Sequence, residues 1–114
     1  MMAAPSLAKL TIILGRSQHF HHHSTALEIV RLARRRRMAG ATVLVGVEGY
    51  GSSHRLHTVS AGSLAGAVSF VVVVVDDVAR LAGLLEAVTP LVQGHGTVVV
   101  EEVEAVSGWR PVQP

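Results

Sequence analysis

A chain of 114 residues, 49% hydrophobic and 16% charged, is sized for one domain able to bury its own core. That composition excludes a disordered segment, and the absence of cysteine excludes disulfides and thiol chemistry. A net charge of only +2, with a pI near 9.9, excludes the strong basic field of a general nucleic-acid binder.

In chain order, residues 1–8 read as a flexible N-terminus. No basic stretch leads into a long apolar one, so no secretory leader is expected and the protein reads as cytoplasmic. Lys9-Leu-Thr-Ile-Ile-Leu-Gly15 is a β-rich run ending at glycine, a first strand. A polar loop, Arg16 to Ser24, follows. Thr25 with Glu28 forms a capping-box pattern that predicts a helix start. Leu27, Val30 and Ala33, with Ile29 and Leu32 beside them, would supply its apolar face, and Arg31, Arg34 and Arg35 the other side. Arg36, Arg37 and Gly40 mark its end, with Gly40 expected as the left-handed cap.

Residues 41–48 form the second strand and residues 68–75 the third. The loop between them, residues 49–67, exceeds the ~2–5 of an ordinary hairpin and marks the expected working surface. Asp76 and Asp77 predict the cap of a second helix whose face is Val78, Leu81, Leu85, Val88 and Val92. Pro90 should bend it or start its final turn. After Gly94-His95-Gly96 comes a last strand, Thr97–Val100 with Val103–Val106, bulged around Glu101-Glu102. Residues 107–114 read as a turn-like tail.

The order βαββαβ gives an α+β, ferredoxin-like fold: one antiparallel sheet with two helices on one face. Val71–Val75 and Val98–Val100 are apolar on both sides, so both sheet faces should be buried, the second by other copies of the chain.

The segments Ala39-Gly-Ala-Thr-Val43, Gly46-Val-Glu-Gly-Tyr-Gly51 and Arg55-Leu-His-Thr58 resemble those of PII-type signalling proteins. The Asp76-Asp77 helix start and the ending from Gly94 to Val106 agree with them. The chain from 9 to 106 looks closest to the PII-like family called domain of unknown function 190. The resemblance implies a homotrimer that binds a small anionic effector, most naturally an adenine nucleotide, between subunits. It also implies that the long segment 49–66 acts as a T-loop, contacting a transporter or enzyme partner. Gly49, Tyr50 and Gly51 match the T-loop base, and Gly94, His95 and Gly96 stand where the family has a phosphate-cradling Gly-Asp-Gly. Thr97 stands where PII proteins carry a phosphate-gripping lysine. Arg55 and Arg110 would add charge at the ligand, while Ser52, Ser53, His54 and His57 would meet the partner. No resident cofactor is required.

Four of the seven histidines, His19, His21, His22 and His23, cluster in one loop. Imidazole suits zinc, nickel or copper, so a divalent-ion trimer of the CutA type is the alternative; a solvated loop is the plainer reading. Arg34–Arg37 point all around a helix and lack an aromatic platform, so no nucleic-acid partner is expected. Ser52, Ser53, His54 and His57 share a loop, but no acid is placed to orient a histidine and no nucleophile elbow is present. Enzyme activity is not expected.

Overall fold

The computed structural model describes residues 6–15, 22–49, 57–58 and 69–112. Among the described residues six strands and two helices follow one another: β1 (Leu7–Gly15), α1 (His22–Arg35), β2 (Thr42–Gly46), β3 (Glu48–Gly49), β4 (His57–Thr58), β5 (Ser69–Asp77), α2 (Val78–Val92) and β6 (Thr97–Val103). The main sheet has the order β2-β5-β1-β6 and every adjacent pair is antiparallel. Each βαβ unit therefore straddles a strand of the other, the ferredoxin-like arrangement. β3 and β4 form a separate two-stranded pairing inside the long connection.

The period-2 pattern of β1 and β5 decides the layers. Ala8, Leu10, Ile12 and Leu14 of β1, with Phe70, Val72 and Val74 of β5, are buried on the helix side. Ala26, Ile29 and Ala33 of α1, and Leu81, Leu84, Val88 and Val92 of α2, close that core. The opposite face carries Leu44, Val71, Ile13 and Thr97 in one row, and Thr42, Val73, Thr11 and Val99 in the next. Leu44 is 53% exposed, Val99 41% and Ile13 39%. Among the described residues, these rows of the sheet face are largely apolar and little covered.

Several local expectations are corrected. β1 begins at Leu7, not Lys9. α1 begins at His22, so Thr25 lies inside the helix and does not cap it. Its left-handed terminal residue is Arg37 (φ 60), not Gly40. Arg37 N–H donates to Arg34 O and Met38 N–H to Ala33 O, both at 3.0 Å, a Schellman closure that folds Met38 into the core. In α2 the core face includes Leu84, which is fully buried, while Leu85 is only partly buried and Val78 is 40% exposed in the first turn. Pro90 is accommodated inside the last turn of the helix. β6 pairs with β1 in unbroken register from Thr97 to Val103, so Glu101-Glu102 forms no bulge.

Candidate functional site

β5 runs into α2 without a linker, and the two aspartates at the junction have different jobs. Asp77 caps α2, its carboxylate accepting from Ala79 N–H at 2.9 Å. Asp76 is 0% exposed and reaches sideways instead. Its Oδ2 accepts from Ala39 N–H and its Oδ1 from Asp77 N–H, both at 2.7 Å, and Arg80 Nε lies 3.4 Å from Oδ1. Arg80 Nη2 in turn donates to the carbonyls of Arg36 and Arg37. A buried carboxylate thus pins the 39–41 connector to the end of β5, while an arginine ties the end of α1 to the start of α2.

The pinned connector forms one wall of a groove. β2 starts at Thr42, opposite Val73, so β2 does not flank β5 beyond that pair. The C-terminal tail crosses the open face there, and Trp109 Nε1 donates to Val75 O at 3.0 Å. Leu7 shares the open face by register, yet it is buried where the tail passes. Between tail and connector lies an open groove of about 410 Å³, lined by Gly40, Thr42, Val73, Val75, Trp109 and Arg110. It joins an indole, a guanidinium and a wall of small residues, the elements needed to hold a flat ring carrying negative charge. A second groove, of about 510 Å³, lies on the β6 side of the tail and includes Glu102 and Glu104.

The residues expected at a ligand fall into separate places. Gly94-His95-Gly96 and Gly49 lie at the end of the sheet where β1 finishes, but on opposite edges, beyond β6 and β2 respectively. Three strand spacings separate those edges, about 14 Å. Arg110 lies at the other end, six residues of β1 away, about 20 Å. No small molecule can bridge all three within one chain. A shared site requires edges from two copies.

Both glycines of the Gly94-His95-Gly96 turn have local explanations. Gln93 (φ −58, ψ 126) and Gly94 (φ 87) make a type II turn closed by His95 N–H to Val92 O at 3.1 Å, which demands glycine at its third position. A Cβ on Gly96 would lie 3.0 Å from Leu14 Cδ2. The His95 amide is already engaged, so the turn offers fewer free donors than the motif promised. Thr97 opens β6 at this end, on the open face.

Tyr50, Gly51, Ser52, Ser53, His54 and Arg55 lie outside the described residues, as do His19 and His21. His22 and His23 occupy the first turn of α1, and His57 pairs with Gly49 across the β3–β4 ladder. Among the described residues no three His, Asp or Glu side chains converge as a metal site. No described helix is long and apolar enough to cross a membrane. Sequence reasoning missed Asp76 as a buried anchor, reading it only as part of a cap. The sequence of β5 carries no alternation to show this; the period of 2 that puts residue 76 in phase with buried Phe70, Val72 and Val74 appears only in the structure.

Comparison with known proteins agrees with the geometry. A PII-like nitrogen regulatory protein from Thiomonas intermedia, CPII bound to ADP, AMP and bicarbonate, superposes with a TM-score of 0.63 at 22% identity, covering 86% of each chain. Its ADP- and bicarbonate-bound form matches at 26% identity with a TM-score of 0.58, again over 86% of each chain. The divalent ion tolerance protein CutA1 of Ehrlichia chaffeensis shares the fold, with a TM-score of 0.62 at 6% identity over 92% of this chain and 88% of its own. No curated protein matches the sequence. Residues 7–105 match the family DUF190, described as "Uncharacterized ACR". The chain therefore belongs to the family of domain of unknown function 190, with the PII-like, ferredoxin-like fold.

Proposed function

We propose that this protein is a non-enzymatic PII-like sensor, a homotrimer that binds an adenine nucleotide between subunits and signals through its 49–66 segment to a transporter or enzyme. The observation that carries the reading is the groove between the 39–42 connector and Trp109-Arg110, open at the β2 edge. Its volume falls within the ~300–1,000 Å³ of small-molecule sites. The base stacks against the indole and small-residue wall, and Arg110 meets the phosphates. A neighbouring copy supplies the remaining wall, and pairing of edges would also bring Gly49–Gly51 of one copy toward Gly94–Thr97 of the next. That relatives were solved with ADP, AMP and bicarbonate supports this ligand class. Signalling then needs the effector to bind two arrangements of the 49–66 segment unequally.

Isothermal calorimetry against ADP, AMP, ATP, cyclic nucleotides and bicarbonate tests this directly. Saturable adenine-nucleotide binding, weakened at least tenfold by Arg110→Ala, is the expected result. No heat with any of them, at protein concentrations where light scattering shows a trimer, sinks the nucleotide reading. No described contact favours the metal-binding alternative, whose His19–His23 loop would be tested by zinc uptake.

A further inference from the structure

Among the described residues, several arginines gather at one free edge of the sheet and three glutamates at the other. At the β2 edge, α1 packs over β2 and β5 and ends at Arg35. Arg31 and Arg34, one turn apart, are exposed. Arg34 also lines a dent of about 300 Å³ with Val30, Ala33, Met38 and Ala41. The obvious local job for an arginine here is to complement the C-terminal carbonyls of α1. Arg80 does that job, because its guanidinium bonds the Arg36 and Arg37 carbonyls. Arg34 is left with an apolar hollow beside it.

The β6 edge is the complement. Glu101, Glu102 and Glu104 are all exposed and make up three of the chain's eight acidic residues. Register with Ile12, Leu10 and Ala8 puts Val98, Val100 and Glu102 on the helix side of the sheet. They are nonetheless exposed, Val100 by 50%, because the helix layer covers β1, β2 and β5 and leaves β6 overhanging. Both features lie at the same end of the sheet: Thr42 is level with Val99 through Val73 and Thr11, one residue from Val100 and three from Glu102. In a head-to-tail ring whose axis runs along the strands, same end meets same end. β2 is parallel to β1 and β6 antiparallel to it, so the two edges would also meet antiparallel, as the rest of the sheet does.

We infer that Val98 and Val100 of one copy seat against the α1–β2 dent of the next copy, with the carboxylates of Glu102 and Glu104 facing the guanidinium groups of Arg31 and Arg34 there. The inference rests on the trimer proposed above and adds the contact that selects the ring's direction. Two β6 edges brought together would instead oppose Glu to Glu, and two α1 ends Arg to Arg.

Sedimentation velocity over micromolar concentrations tests the contact with four proteins: wild type, Glu102→Arg/Glu104→Arg, Arg31→Glu/Arg34→Glu, and all four changes together. Each reversal should raise the concentration of half-dissociation at least tenfold, and the combined variant should recover most of that loss. The difference should shrink in 1 M salt, where charges are screened beyond roughly 3 Å. A double-mutant cycle with Glu102→Gln and Arg34→Gln reads the same coupling should a reversal impair folding. A trimeric wild type with unaffected reversals, or reversals that the combination does not rescue, overturns the charge contact alone. A monomeric wild type overturns the assembly reading with it.

Discussion

Asp76 is the side chain on which the local geometry turns. Its two oxygens take the N–H groups of Ala39 and Asp77 where no water reaches, and Arg80 adds a guanidinium that is itself 42% exposed. The exposed half of that pair contributes little; what matters is the two amides that would be orphaned. Asp76→Ala should therefore cost about 2–5 kcal/mol in urea unfolding at fixed protein concentration. Asp76→Asn, which keeps one carbonyl acceptor, should cost clearly less. Equal losses for both would show that charge, not acceptance from the backbone, is what the site needs. Arg37 makes a related point. A non-glycine residue held at φ 60 is strained, and it is tolerated because Met38 must turn into the core directly after the helix.

The tail and the last strand behave as one device. Residues 104–112 return from the β6 edge across the open face, and the Trp109 indole fastens them to Val75 beyond the start of β2. Trp109→Phe keeps an aromatic ring and removes the N–H donor, a loss of about 1 kcal/mol in tail docking. Faster amide exchange in the tail, with weaker ADP binding, is the expected outcome; unchanged exchange would show that ring burial alone holds the segment. This arrangement explains what could be read from the bare chain. β1 and β5 were legible as β-rich apolar runs, ended by Gly15 and by Asp76-Asp77, and the second helix because Leu81, Leu85, Val88 and Val92 recur at helical spacing. The start of α1 was not, because His22 to Ser24 extend the helix ahead of the Thr25–Glu28 signal. Nor was the position of Arg110, which depends on the path of a segment without periodicity, set by one indole bond.

For the molecule as a whole, the uncovered sheet face sets the expected state. Leu44, Ile13, Val71, Val73 and Val99 form a continuous apolar surface that a lone chain would leave in water. Burying a Leu-sized side chain is worth roughly 1.5–3 kcal/mol. Leu44→Asp, repeated in every copy, should accordingly convert the assembly to monomers by light scattering. Ala82→Asp serves as the control, because Ala82 is exposed on α2, on the other side of the sheet. Dissociation by both, or by neither, would count against burial of this face. The class of fold was legible from the order of strand and helix signals, and the exposed apolar face from strands apolar on both sides. The separation of Arg110 from the Gly94–Gly96 turn was not, because it follows from which strand ends share a side of the sheet.

The central place of β1 has a consequence for how the chain is made. The first strand of this sheet to be synthesised is flanked on both sides by strands made much later, and Leu7 finds its β6 partner only at Val103. While the ribosome is still working, an apolar segment with two bare hydrogen-bonding edges must wait for nearly the whole chain to emerge. Contacts so distant in sequence fold slowly and leave strand edges open to neighbouring nascent chains. A last strand that carries Glu101 and Glu102, with Glu104 just beyond it, is suited to that interval, because its charge repels other copies of itself until β1 is free to receive it.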